Sequence, residues 1–191
     1  MNNARLGLCF YPTRTLIVDD NVSFLANMQL WLDGKDLLST LYNDPEAALT
    51  YLNQHYQADP FTNHCISSTP DRDYDSYTAH FDVRRIHHEI YNPKRFEEFS
   101  TLVIDYAMPA KNGLDFCREL KEGYYTRTIL TAEAETDIAV TAFNEGLIDK
   151  FIEKSSLDLP EIILKVIQEL QQKYFLRLSE GALNKANAGL Y

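Results

Sequence analysis

The chain has 191 residues, of which 45% are hydrophobic and 12% aromatic, and this composition favours one packed domain with decoration over a disordered chain. Acidic residues outnumber basic residues 28 to 18, which gives a net charge of −10 and a pI near 4.9. Because no basic stripe is present, a nucleic-acid-binding surface is not expected.

Apolar runs of strand length alternate with amphipathic stretches, which predicts βα units on a parallel sheet. The predicted strands cover residues 14–18, 37–42, 101–104, 126–130 and 150–153. Five helices are predicted between and after these strands. The first is capped by Asn21 and stopped by Gly34, the second starts at Asp44-Pro45, and the third starts after Gly113. The fourth is capped by Thr136 and stopped by Gly146, and the fifth starts at Pro160. The fold class predicted from this alternation is doubly wound α/β.

A segment of about forty residues, near 58–100, interrupts this pattern before the third strand. Connections of this kind ordinarily run to roughly 2–6 residues, so the segment is an insertion. Residues 71–77 are expected to form an exposed loop, residues 80–91 a strand or a helix, and Asn92-Pro93 to open a short helix through Phe99. We hypothesise that the insertion packs over the second and third strands and adds a partner or dimer surface.

The expected organisation is an N-terminal extension over 1–13, a domain over 14–178, and a C-terminal tail over 179–191 that is a frayed end or the start of a linker. Cys9, Cys65 and Cys117 are odd in number and form no Cys-x-x-Cys pair, which favours reduced thiols. No stretch reaches transmembrane length or has the pattern of a signal peptide, so we expect a cytoplasmic location and no membrane attachment.

Charged and polar residues close the predicted strands. Asp19-Asp20 follow the first strand, Asp105 the third, Thr131 the fourth and Lys154 the fifth. Because ligands of such sheets bind at the carboxyl ends of the strands, these groups are expected to meet at one edge. Three carboxylates together repel one another, and a divalent cation with a preference for hard oxygen ligands, Mg²⁺ above all, relieves the repulsion. A carboxylate kept ionised in this way can act as a nucleophile toward phosphorus.

These residues give the chain a resemblance to the receiver domains of two-component response regulators, the CheY-like family. The resemblance rests on Asp19-Asp20, on Asp105-Tyr106-Ala107-Met108-Pro109-Ala110-Lys111-Asn112-Gly113, on Thr131-Ala132, and on Lys154 three positions after Phe151. It covers about residues 15–178 without the insertion. It implies a flavodoxin-like sheet of order 2-1-3-4-5.

The resemblance also implies roles for single residues. Asp105 would accept a phosphoryl group from a histidine kinase or a phosphotransfer protein. Asp19, Asp20, Asp105 and the Ala107 carbonyl would hold Mg²⁺, with Mn²⁺ as the alternative ion. Thr131, Ala132 and Lys154 would bind the phosphoryl group. Thr131 and Phe151 would form a switch pair that repacks the surface for a downstream protein partner, with a homodimer as a further candidate assembly. The chain would be a phosphoacceptor and not a turnover enzyme.

Two departures from the family pattern concern the lysine. Ser155 follows Lys154 where the family usually has proline, so a trans peptide or a loop of different shape is expected here. Lys150 is a rival for the lysine role because the spacing from Gly146 is one residue longer than usual.

Other readings remain open at this point. A receiver-like module that works without phosphorylation is one alternative. An aspartyl-phosphate phosphatase is a weaker one, because Ala107 stands where that class needs a second carboxylate. A zinc site among the histidines around the insertion and Cys65 lacks the usual ligand spacing.

Overall fold

A five-stranded parallel sheet forms the centre of the molecule. The computed structural model describes residue 10 and residues 12–55, 65–70, 77–109, 111–121, 123–131 and 136–188. The sheet strands are β1 (Arg14–Val18), β2 (Leu38–Tyr42), β5 (Phe99–Asp105), β6 (Thr126–Thr131) and β7 (Lys150–Glu153). Their order is β2-β1-β5-β6-β7, and every neighbouring pair is parallel. Counted without the inserted strands, this is the predicted order 2-1-3-4-5, and the predicted fold class is confirmed.

Helices cover both faces of the sheet, as a doubly wound fold requires. They are α1 (Val22–Leu32), α2 (Pro45–Gln54), α3 (Val83–Ile90), α4 (Gly113–Glu119), α5 (Thr136–Asn144) and α6 (Leu159–Ala188). Side chains alternate along each strand, so Leu16 and Val18 pack with α2 and α4 while Ile17 packs with α1 and α6. The central strand β5 is buried along its whole length, including its polar residues Ser100, Thr101 and Asp105, and its apolar run over 102–104 lies between helices on both faces.

The helix signals predicted at Asn21, Gly34, Asp44 and Gly146 are used as expected. The other three starts are displaced by one residue: Thr136 is the first residue of α5 and not its cap, α4 starts at Gly113 itself, and α6 starts at Leu159. The Asn21 side chain accepts a hydrogen bond from the Phe24 amide at 3.0 Å, and Asp44 accepts from the amides of Glu46 and Ala47. Gly34 and Gly146 lie beyond the ends of α1 and α5 with φ of 84° and 68°. This left-handed conformation is available to glycine at little energetic cost, which is why glycine is the stop signal at both places.

The described part of the insertion forms a small unit of its own. An antiparallel hairpin of β3 (Ile66–Pro70) and β4 (Tyr77–Phe81) leads into α3, and a short 3-10 helix (Pro93–Glu97) leads into β5. Residues 80–91, for which the sequence predicts a strand or a helix, therefore form the end of a strand and then a helix. Of the predicted loop 71–77, residues 71–76 lie outside the described residues, and residue 77 is the first of β4.

The insertion does not pack over the second and third strands, so that hypothesis was wrong for the part described. Cys65 of the insertion lies in a buried cluster with Tyr174, Phe175 and Leu178 of α6, and Ile86 and Ile90 of α3 pack against this cluster. The second half of α6 thus has an apolar surface that the insertion covers.

This contact also explains a second difference from the sequence prediction. Helix α6 continues past Leu178 to Ala188, where a tail was expected from residue 179. Ser179 is buried and donates to the Phe175 carbonyl at 2.8 Å, so the helix is still packed at that point.

A buried carboxylate anchors α6 at the amino ends of the strands. Asp149 precedes β7, and its side chain is only 5% exposed. It lies 2.6 Å from Lys173 Nζ and 2.5 Å from Arg177 Nη2, and it accepts from the Arg127 amide at 2.9 Å. Two cations from α6 therefore compensate one carboxylate taken out of water.

None of the helices described combines the length and apolar character needed to cross a bilayer.

Candidate functional site

The acidic residues at the strand ends form one pocket. The ends of β1 and β5 lie side by side, with Val18 paired to Ile104, so Asp19 and Asp105 follow at the same height. Carboxylate oxygens of Asp19, Asp20 and Asp105 lie within 4.8 Å of one another. Asp19 and Asp105 are buried and Asp20 is exposed, so the pocket opens to solvent on the Asp20 side.

Lys154 reaches into this pocket from the neighbouring edge of the sheet. Its amide donates to the Thr131 carbonyl at 2.7 Å, which fixes the backbone beside β6. Its Nζ lies 2.5 Å from Oδ2 of Asp19 and 2.8 Å from Oδ1 of Asp105. No peptide bond among the described residues is cis, so Lys154 reaches both carboxylates ahead of a trans peptide to Ser155.

Lys150, the rival for this role, points elsewhere. Its Nζ lies 3.2 Å from Glu169 of α6, and both side chains are about half exposed. The additional residue after Gly146 is therefore taken up before β7, and Lys154, which follows β7, is the lysine at the pocket.

The charge in the pocket is only partly compensated. Burial raises the pKa of Asp19 above its usual value, although the hydrogen bond from Lys154 and the one from the Asn21 amide act in the opposite direction. Burial by itself would lower the pKa of Lys154, but its hydrogen bonds to Asp105 and Asp19 outweigh this, and the pKa is raised. The Lys154 ammonium is therefore charged, but its single positive charge faces three carboxylates.

This donor set fits a hard divalent cation. Three carboxylates with spare oxygen lone pairs converge on one point, one of them facing solvent. Mg²⁺ favours such sites because it takes one or two carboxylates and keeps several water ligands. The excess negative charge that remains beside Lys154 is what a bound cation would neutralise.

The loop after Asp105 is held close to the pocket by Gly113. The Gly113 amide donates to the Tyr106 carbonyl at 3.0 Å, and the Gly113 Cα lies directly against the backbone of Asp105. A methyl group added at Gly113 would clash with the Asp105 carbonyl oxygen and would lie 3.0 Å from Cδ1 of Ile129. The loop that carries Ala107 can close only because residue 113 has no side chain.

Sequence reasoning did not assign roles to two residues of this region. Lys111 contacts Glu119 of α4 and lies 3.0 Å from Glu46 of α2, so it ties the loop to two helices. Phe24, counted only as an apolar position of α1, places its ring centre 4.8 Å from Lys154 Nζ. The available signal for Phe24 was its position in the first turn of α1, four residues after Asp20.

The predicted switch residues belong to β6 and β7, the two strands beyond β5 in the sheet. Thr131 is the last residue of β6 and is buried. Phe151 pairs with Ile129 in the sheet and is partly buried against the core. Ala132 lies outside the described residues, so its predicted contact with a phosphoryl group remains a prediction.

Solved structures resemble this chain over most of its length. The response regulator LqsR of Legionella pneumophila matches with a TM-score of 0.74 and 33% identity over 94% of this chain and 50% of that chain. A structure described as adenylate cyclase from Rhodopirellula baltica matches with a TM-score of 0.61 and 20% identity over 91% of this chain and 98% of that one. A CheY-like response regulator receiver domain protein from Methanospirillum hungatei matches with a TM-score of 0.56 and 16% identity over 85% and 96%.

The structural neighbours are mostly response regulator receiver domains, and the chain has the CheY-like receiver fold. Among them, LqsR shares a third of its aligned residues with this chain, which spans about half the length of the LqsR chain. No protein-family model matches the sequence, and no curated protein matches it.

Proposed function

We propose that the chain is a phosphorylation-activated receiver that accepts a phosphoryl group on Asp105 from a histidine kinase or a phosphotransfer protein. The observation that carries the proposal is the convergence of Asp19, Asp20, Asp105 and Lys154 from three separate strand ends on one pocket. A purely structural use of these residues would not require three carboxylates at one point. The proposed location is the cytoplasm, where such donors act.

The proposed chemistry uses the carboxylate of Asp105 as the nucleophile. An oxygen of Asp105 forms a bond to phosphorus while the phosphorus–nitrogen bond of a phosphohistidine donor breaks, and the imidazole leaves. Lys154 already lies 2.8 Å from an Asp105 oxygen, so its ammonium is in place to stabilise charge on the incoming phosphoryl oxygens. Asp19, Asp20, Asp105 and the Ala107 carbonyl would hold Mg²⁺, or Mn²⁺ in its place, which supplies further charge neutralisation.

The proposed output is a change in the surface made by α5, β7 and α6. Thr131 would donate to a phosphoryl oxygen, and Phe151 would turn inward to fill the space that Thr131 leaves. This surface already exposes Ile138, Val140 and Phe143 of α5, which are 38%, 51% and 58% exposed. Exposed apolar groups grouped on one helix are typical of a protein-binding surface, here for a downstream protein partner.

The test is mass spectrometry after incubation with acetyl phosphate and Mg²⁺. We expect the mass of one phosphoryl group on the wild-type chain, mapped to Asp105, and none on Asp105→Asn. Asp20→Asn should reduce labelling because it removes a metal ligand. Asp33→Asn removes an exposed carboxylate at the end of α1 remote from Asp19 and Asp20 and should label like the wild type.

Two outcomes would contradict the proposal. Labelling that persists in Asp105→Asn would move the acceptor to another residue. An unlabelled wild-type chain that also fails to bind beryllofluoride with Mg²⁺ would favour the phosphorylation-independent module. Repeated turnover of phosphate esters would instead favour a phosphatase, although Ala107 lacks the carboxylate that such an enzyme uses as general acid.

A further inference from the structure

A cavity lies at the amino ends of β6 and β7, at the opposite ends of the strands from Asp105. Its volume is about 390 Å³, and small-molecule sites occupy about 300–1,000 Å³. The residues that line it come from the connections before β6 and β7 and from the second half of α6, among them Tyr124, Tyr125, Arg127, Gly146, Arg177 and Gly181. Because β7 separates this end of the sheet from Lys154, the cavity is roughly 16 Å from the acidic pocket.

Aromatic rings and glycines shape the cavity. Tyr124 and Tyr125 precede β6, and the Tyr124 hydroxyl lies so close to α6 that a Cβ added at Gly181 would be 2.6 Å from it. Gly146 lines the cavity without a side chain, and a Cβ built on it would meet open space. The cavity therefore combines aromatic side chains with backbone that a planar ligand can approach closely.

The charges around the cavity leave one guanidinium uncompensated. Asp149 is compensated twice, since Lys173 Nζ lies 2.6 Å and Arg177 Nη2 lies 2.5 Å from the same carboxylate oxygen. Arg127 donates from Nη1 to the Leu147 carbonyl at 3.3 Å, but no described carboxylate forms an ion pair with it. Its Nε is buried and has no acceptor among the described residues. A partly buried cation of this kind favours an anionic ligand.

The balance of charge around the cavity sets the charge of the ligand. Arg127, Lys173 and Arg177 contribute three positive charges, against two negative charges from Asp149 and the exposed Glu180. The excess is one positive charge, in a chain whose net charge is −10. A single carboxylate neutralises this excess, and its two oxygens match the fork of a guanidinium. A dianion would leave a negative charge beside Glu180.

We propose that this cavity binds a small organic monoanion in which a carboxylate is joined to a planar or aromatic group. The carboxylate pairs with Arg127, and the planar group lies against Tyr124 and Tyr125. Arg177 already donates to the Tyr125 carbonyl at 3.1 Å, so the ligand adds to an existing link between α6 and the sheet. A molecule that binds only the folded chain also stabilises it.

The test is a titration of the full, ¹⁵N-labelled chain with 2-naphthoate, without phosphoryl donor, followed by nuclear magnetic resonance. The probe carries one carboxylate on a planar ring system. We expect saturable shifts of the amide signals of Gly123, Gly146 and Gly181, which line the cavity, with a Kd of about 1 mM. The neutral analogue 2-naphthamide has nearly the same shape and should bind about tenfold more weakly.

Two variants locate the carboxylate at Arg127. Arg127→Gln removes the charge and should weaken 2-naphthoate binding by about tenfold. Lys165→Gln removes an exposed positive charge from the first half of α6, roughly 18 Å along the helix from Arg177, and should bind like the wild type. Thermal unfolding checks that each variant is folded. If Arg127→Gln does not fold, the comparison of 2-naphthoate with 2-naphthamide on the wild-type chain decides between the proposal and its failure.

The proposal is overturned if the wild-type chain gives no saturable shifts up to about 10 mM 2-naphthoate, or if the shifts map to the surroundings of Lys154 instead of the three glycines. Equal binding of 2-naphthamide, or undiminished binding by Arg127→Gln, would also overturn it. Tighter binding of inorganic phosphate at the same glycines would exclude the proposed class of ligand. None of these outcomes depends on phosphorylation of Asp105, because the titration contains no phosphoryl donor.

Discussion

Gly113 gives the sharpest test of how the pocket is assembled. Its Cα lies against the backbone of Asp105, and the substitution Gly113→Ala would place a methyl group 3.1 Å from the Asp105 carbonyl carbon and 3.0 Å from Cδ1 of Ile129. The same methyl group would approach the Asp105 carbonyl oxygen more closely still. The perturbation therefore acts on the residue proposed to carry the phosphoryl group.

The size of the effect follows from these distances. Carbon atoms in contact are ordinarily about 3.5–4.0 Å apart, so the two backbones must separate by about half an ångström or more. Asp105 ends a fully buried central strand and cannot move freely. Overpacking of this kind destabilises by about 1–3 kcal/mol, and the rigid neighbour favours the upper half of that range. For a chain of this size, about 2–3 kcal/mol lowers the melting temperature by about 5–10 °C.

Gly34→Ala is the matched control. Gly34 has open space around its Cα but a φ of 84°, so an added methyl group strains only the local backbone, by about 1–2 kcal/mol. Thermal unfolding followed by circular dichroism measures both variants. Titration with beryllofluoride and Mg²⁺ then separates them, because Gly113→Ala should weaken binding and Gly34→Ala should not.

Two results would refute this reasoning. Gly113→Ala could unfold at the wild-type temperature, which would mean that the loop after Asp105 yields without cost. Alternatively, Gly34→Ala could weaken beryllofluoride binding as much as Gly113→Ala, which would mean that general destabilisation, and not displacement of Asp105, controls the pocket.

Three other predictions concern the pocket and its support. Asp149→Asn should lower the free energy of unfolding, measured by urea titration, by about 2 kcal/mol, because it leaves two partly solvated cations without their anion. Glu169→Gln, which breaks an exposed ion pair, should change the same free energy by less than about 1 kcal/mol. Burial raises the pKa of Cys117 from its ordinary value of 9.0 to about 12, so iodoacetamide at pH 8 should label this thiol only after unfolding. Since the folded pKa is the higher one, the stability that this group contributes is complete below pH 9 and is lost as the pH rises toward 12. Phe24→Leu removes the ring face near Lys154 and should weaken beryllofluoride binding by about threefold, whereas Phe24→Tyr keeps the ring and should bind beryllofluoride like the wild type. Equal binding by the two variants would exclude a contribution from the ring.

The candidate pocket could be predicted because its signals are local. Asp19, Asp105 and Lys154 each close an apolar run, and parallel strands bring such positions to one edge regardless of the intervening chain. The helix caps Asn21 and Asp44 were predictable for the same reason, since a cap is decided within four residues. The ends of the strands were predicted less accurately. The strand β5 covers Phe99–Asp105, beyond the predicted 101–104 at both ends, because a central strand also buries polar residues, which an apolar run does not include.

The residues that hold the pocket in place could not be predicted, because their partners are distant in sequence. Lys111 contacts Glu46 from another helix, and the Lys154 ammonium lies over Phe24 from the first turn of α1. The periodicity around each of these residues indicates only which face of a helix is apolar. It does not indicate which charged or aromatic group will be opposite.

By itself, the sequence determined the alternation of the five sheet strands with their helices outside the insertion, the sheet edge that carries the acids, and the chemistry that those acids favour. Only the tertiary structure decided that the insertion covers the second half of α6, through Cys65, Ile86 and Ile90 against Tyr174, Phe175 and Leu178. The physical reason is that strand ends are positioned by hydrogen bonds repeated along the sheet, whereas the docking of one apolar surface on another depends on shape and on which surfaces the rest of the fold leaves uncovered.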